Sequence, residues 1–237
     1  MHTGIRTIVA SGTLLIAWAI LSTSSPNARE ASPTAALQTD AGATIDLASR
    51  LKAGTLRVVN RDVTPLAGVP GAVHMFERAG NGLAWVEGSD LAQGTIEIDV
   101  RGRDVMQRSF VGMAFHGRSD TEHEAVYLRP FNFRAEDPIR HQHAVQYVSV
   151  PDYDWPRLRK EFPEEFENPV DASVAPTDWV PLRIVISAKT VQIHVGSSAV
   201  PALEVRKLGG LDRGMIGLWT GNGSDGDFRN LRVTPMK

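Results

Sequence analysis

Gly94-Thr95-Ile96-Glu97-Ile98-Asp99-Val100-Arg101-Gly102 has the pattern of a β-strand with one wet face. Side chains alternate across a strand, so Ile96, Ile98 and Val100 share one side while Glu97 and Asp99 share the other. The next run, residues 109–116, is apolar on both faces, as a central strand would be. Working outward, residues 55–60, 73–77, 83–86, 126–131, 144–150, 215–220 and 228–233 also read as strands. Residues 182–187 and 191–195 read as a hairpin. Ala79-Gly80-Asn81-Gly82 reads as a turn joining 73–77 to 83–86. Long helical periodicity is nearly absent from residue 44 onward. Strands at this spacing imply an all-β fold, an antiparallel sandwich or jelly roll.

Composition bounds the rest. The 237 residues fit one domain of that class, and the net charge of -2 argues against nucleic acid or an anionic membrane as partner. With no cysteine, disulfides, thiolate metal sites and a lipoprotein anchor are excluded. Arg6, the apolar run from Ile8 to Leu21 and the small residues Ser22 to Ser25 resemble an export signal. That run is short beside the ~20 residues of a membrane span, although an uncleaved anchor is the alternative. The expected organisation is a signal over residues 1–25, a flexible leader over 26–43 and one domain over 44–237. The expected location is periplasmic or extracellular. A proline-rich segment, residues 151–181, interrupts the strands. Asp154 and Pro156 mark a short helix within it, and its aromatics suit an ordered flap packed on the body.

Chemistry concentrates just before the flap, in Ala125-Val126-Tyr127-Leu128-Arg129-Pro130-Phe131-Asn132-Phe133 and His141-Gln142-His143-Ala144-Val145-Gln146-Tyr147-Val148. All three tyrosines, Tyr127, Tyr147 and Tyr153, lie in or just after this block. Mixed aromatic and hydrogen-bonding side chains suit a polar, ring-shaped ligand such as a sugar. Tyr127 and Arg129 share one face of their strand; His143 and Tyr147 share one face of theirs. If those faces adjoin, the four form one patch. Gln146 falls on the other face by strict alternation.

Several blocks together resemble a known group of secreted bacterial domains. They are residues 94–102, 109–117, 126–133 and 143–150, Gly217-Leu218-Trp219-Thr220-Gly221-Asn222-Gly223-Ser224, and Asp227-Phe228-Arg229-Asn230-Leu231. The group is the 3-keto-disaccharide hydrolase-like branch of the concanavalin A-like lectin/glucanase superfamily. The resemblance runs from about Gly54 to the C-terminus. It implies two curved antiparallel sheets in a jelly-roll sandwich, with a carbohydrate or keto-sugar ligand on the concave face. The activity it implies is cleavage of glycosides oxidised at C3, by elimination and rehydration. That chemistry needs a base and a donor for the developing enolate. On this reading Arg129 stabilises the enolate, and His143 or a carboxylate, Glu97 or Asp99, is the base. Tyr127, Asn132, Gln146, Tyr147 and Trp155 hold the sugar. A non-catalytic glycan-binding domain is the alternative, and a spacer module a third.

Other motifs are read against plainer roles. Glu97 and Asp99 could be a glycosidase carboxylate pair, but Gly102 stands where laminarinase-like relatives carry a further Glu. The plainer role is a polar face paired with arginines. His141 and His143 would project to one side of a strand, as in a zinc site, without a third ligand at a telling spacing. Asn222 to Asp227 loosely echoes a calcium loop without its distal Glu, and reads better as a tight turn. No cofactor is otherwise implied. His123 and His194 read as surface residues; Trp85, Trp179 and Trp219 read as packing.

Overall fold

The computed structural model describes residues 42 and 44–236. The expected export signal and nearly all of the leader lie outside them. No helix among the described residues is long and apolar enough to cross a membrane.

Two antiparallel sheets carry the fold, with a short helix, α1 (Leu47–Lys52), following the first strand. The eight-stranded sheet runs β13 (Leu203–Arg206), β12 (Thr190–Val195), β11 (Val180–Ile186), β6 (Gly94–Arg101), β15 (Gly226–Pro235), β4 (Val73–Met75), β3 (Val63–Pro65), with β1 (Thr44–Ile45) also on β15. The seven-stranded sheet runs β10 (Glu167–Asn168), β9 (Val145–Val150), β8 (His123–Leu128), β7 (Val111–Gly117), β14 (Met215–Thr220), β5 (Gly82–Val86), β2 (Leu56–Val59). The expected all-β sandwich is therefore observed. β6 alternates buried and half-buried along its whole length. Its buried Ile96, Ile98 and Val100 join Met113 and Phe115 of β7, Val126 and Leu128 of β8, and Ile216 and Leu218 of β14 in one core. Each such side chain contributes roughly 1.5–3 kcal/mol on burial.

Four expectations change. The turn over 79–82 does not close a hairpin, since β4 and β5 belong to different sheets. The strand expected over 126–131 is β8, which begins at His123 and stops at Leu128. Pro130 brings no N–H to a ladder, and Pro130–Asn132 turns as a 3-10 helix. His141 and His143 are not on a strand. Asp137 caps a short helix, α2 (Pro138–Gln142), by accepting from Ile139 N at 2.9 Å, and His143 follows its end. Among the described residues no group of three His, Asp or Glu is placed to hold a metal ion. Finally, His123 and His194 are each only 5% exposed.

The flap is ordered onto the seven-stranded sheet. Asp154 caps its helix, α3 (Trp155–Glu161), by accepting from Arg157 N at 3.1 Å. The chain then adds β10 to the sheet edge, with Glu167 opposite Gln146. Nothing in the local sequence announces that two-residue strand.

Candidate functional site

The site is built on the outer face of the seven-stranded sheet, and pairing register decides its membership. Tyr127 pairs with Gln146 and Val126 with Tyr147. Gln146 therefore shares the face of Tyr127, and Tyr147 takes the opposite face, inside the sandwich. On β7, Gly112 lies between Tyr127 of β8 and Trp219 of β14. The two flanking rings stack at 4.6 Å between centroids, 24° apart. Gly112 permits this close approach: a Cβ there would overlap the Val126 carbonyl oxygen and lie 2.6 Å from Tyr127 Cα. Ala114, Ala125 and Gly217 continue a row of small residues on this face, with the Trp85 ring packed over Gly217.

Beside the stacked pair opens a cavity of about 520 Å³, lined by Tyr127, Trp219, Phe110, Phe131, His123 and Val148 among others. Arg129, Asn132, His143, Arg140, Trp155 and Arg159 also line it. The volume is in the range of small-ligand sites. Arg129 is 5% exposed and organises one wall. Its Nη1 donates to the His143 carbonyl at 2.9 Å, and its Nη2 to Tyr127 Oη at 3.0 Å and Gln146 Oε1 at 3.1 Å. Burial holds its pKa below the ordinary guanidinium value and raises that of Tyr127. Asn132 donates through Nδ2 to the His143 carbonyl at 3.3 Å, while its buried Oδ1 has no protein partner.

Glu167 sits behind Arg129 and His143, 3% exposed. Arg159 grips it from α3, with Nε at 2.9 and 3.0 Å and Nη2 at 2.8 Å. His143 Nε2 lies 3.2 Å from Glu167 Oε1. Desolvation lowers the His143 pKa, with Glu167 pulling the other way. His143 is therefore mainly neutral at pH 7. If its Nε2–H donates to Glu167, its Nδ1 is left as the basic nitrogen. Trp155, 48% exposed, stands on the rim with the Arg159 guanidinium 5.0 Å from its ring centroid. Tyr153 meets Arg157 in the same way at 4.6 Å and bridges to Ser149, anchoring the flap.

Arg129, His143, Tyr127, Asn132, Gln146 and Trp155 are thus brought together, Gln146 as a support behind Arg129. Three expected residues are not. Tyr147 is fully buried; its hydroxyl donates to Glu124 Oε1 and accepts from Leu208 N at 3.0 Å. Glu124 also meets His116 Nδ1, so the three form a core polar chain between the sheets. Glu97 and Asp99 lie on the half-buried outer face of the other sheet, across the core from the cavity. Asp99 accepts from Arg229 Nε at 3.0 Å and Asn230 Nδ2 at 2.7 Å. Trp179 is on that side too, with Arg229 at 4.2 Å and Arg101 at 4.7 Å from its ring.

The acidic loop is likewise engaged: Asp227 accepts from Arg101 Nε at 2.8 Å and contacts His74 at 2.7 Å, and Asp225 lies 2.7 Å from Arg103. Sequence reading missed Glu167, Arg159, His123, Phe110 and Trp219. Only Gly112 and Gly217, small residues inside apolar strands, signalled that something large approaches this face.

No family model and no curated protein matches the chain. Solved structures do. The carbohydrate-binding module CBM66 from Bacillus subtilis superposes with a TM-score of 0.53 at 12% identity, over 75% of this chain and 93% of that one. A Bacillus subtilis protein of unknown function with a galectin-like fold also gives 0.53 at 12% identity, over 82% and 95%. At this identity the likeness speaks to the fold, which is that of the concanavalin A-like lectin/glucanase sandwiches.

Proposed function

We propose that the cavity beside the Tyr127–Trp219 pair binds a saccharide. The observation that carries this reading is the cavity whose wall joins the Tyr127–Trp219 pair to the buried Arg129 and to His143. Aromatic side chains in a cavity wall pack on the C–H surface of a sugar ring, and polar side chains beside them meet its hydroxyls. The CBM66 superposition agrees with carbohydrate as ligand class. Calorimetry of the purified chain against a panel of oligosaccharides tests it. Micromolar to millimolar binding is expected for at least one member, weakened at least tenfold in Tyr127→Ala or Trp219→Ala. Absence of binding across the panel defeats the reading.

A second reading, turnover of keto-sugar glycosides, is favoured by the neutral His143 held by Glu167. For a glycoside carrying a C3 ketone, His143 removes the C2 proton. The electron pair forms an enolate whose oxygen Arg129 stabilises. The C1–O bond breaks and the leaving oxygen takes up a proton; water then adds at C1 as a proton returns to C2. Glu97 and Asp99 take no part, being on the far side of the core. Incubation with 3-keto-trehalose should release free sugar, and His143→Gln should lower release at least a hundredfold while keeping binding within about threefold. Sugar release no higher than in buffer leaves the binding role alone.

A further inference from the structure

The charges around the cavity do not cancel within it. Arg129, Arg140 and Arg159 line it, against one lining carboxylate, Asp154, which already caps α3. Glu167, set behind the lining, is saturated by Arg159 and His143. Arg129 is the telling cation. Every hydrogen bond it makes goes to a neutral acceptor, and its nearest carboxylate oxygen, on Glu167, is 3.9 Å away. A guanidinium only 5% exposed, whose one carboxylate neighbour stands 3.9 Å off and is already held by Arg159, is costly to keep, since burial penalises the charged form. Arg140 repeats the pattern more openly. Its Nη2 donates to the Phe131 carbonyl at 3.1 Å, and its buried Nε has no partner.

Three lining arginines against one lining carboxylate call for an anion. The aromatic pair in the same wall calls for a ring. We infer that the site selects an acidic saccharide, one whose ring carries a carboxylate, as in a uronate residue. Planar guanidinium groups match a carboxylate's two oxygens. This inference rests on the saccharide-binding reading and narrows it.

The test uses the full chain and calorimetry at pH 7. The probes are uronate oligosaccharides of gluco, manno and galacto configuration, their methyl esters, neutral oligosaccharides of equal length and sulfated ones. At least one uronate should bind tenfold or more tighter than its own ester. The advantage should shrink at 0.5 M salt. Arg129→Lys, which keeps the charge but loses the fork, and Arg140→Gln, on the more open wall, should each cut the advantage at least threefold. Equal binding of acid and ester, or tighter binding of neutral or sulfated sugars, overturns the acidic selectivity and leaves saccharide binding standing. No binding by any member overturns both.

Discussion

Tyr127 and Tyr147 lie on adjacent strands and look interchangeable in sequence, yet they do opposite jobs. Alternation tells which residues of one strand share a face, but not which face of the next strand joins it. Register supplies that, and here Tyr127 pairs with Gln146. The Tyr147 hydroxyl is spent on Glu124 and Leu208, so its loss strands a buried carboxylate oxygen and a buried N–H. Tyr147→Phe is expected to cost about 2–3 kcal/mol, read by urea unfolding, while leaving oligosaccharide affinity within about twofold. A large loss of affinity at unchanged stability would contradict the core role. Arg129, His143, Asn132 and Trp155 were legible as candidates because polar and aromatic side chains clustered in sequence. Glu167 was not, because it reaches His143 and Arg129 only after the flap has folded back.

At the scale of elements, β7 is the strand on which the site depends. Its inner residues Val111, Met113 and Phe115 hold the core, and its outer Gly112 makes room for the rings of Tyr127 and Trp219 from both neighbours. Gly112→Ala would push a Cβ into the Val126–Tyr127 backbone. Overpacking of this kind costs about 1–3 kcal/mol. The expected outcome is a lower urea midpoint together with loss of oligosaccharide binding. Wild-type behaviour on both counts would show that the strands separate freely. The short helix of the flap was legible, since Asp154 as cap and Pro156 in the first turn are local signals. Helix α2 and strand β10 were not. One is five residues long and the other two, too short for periodicity to register.

At the scale of the whole molecule, a buried histidine couples stability to pH. His123, 5% exposed on the cavity face, has its pKa lowered to about 4 by desolvation, with the Ser119 backbone and Asp120 pulling upward. The unfolded chain, near the ordinary 6.5, binds this proton first as pH falls. Stability from His123 is therefore complete above about pH 6.5, declines through the interval and is lost below about pH 4. The total is on the order of 3 kcal/mol. Urea unfolding of His123→Gln against wild type across this interval should show the variant's curve flattened; parallel curves would refute the coupling.

Strand identity, the wet face of β6 and the all-β class are written in residues next to one another, because the two-residue alternation of a strand and the chemistry of turns are local. The side of the sandwich on which Glu97 and Asp99 lie, the neighbour Tyr127 meets across the ladder, and the convergence of Glu167 and Arg159 on Arg129 were settled only by tertiary structure. Those depend on register and on which strands cross between sheets. A shift of one residue in register exchanges core for cavity without altering the pattern of either strand.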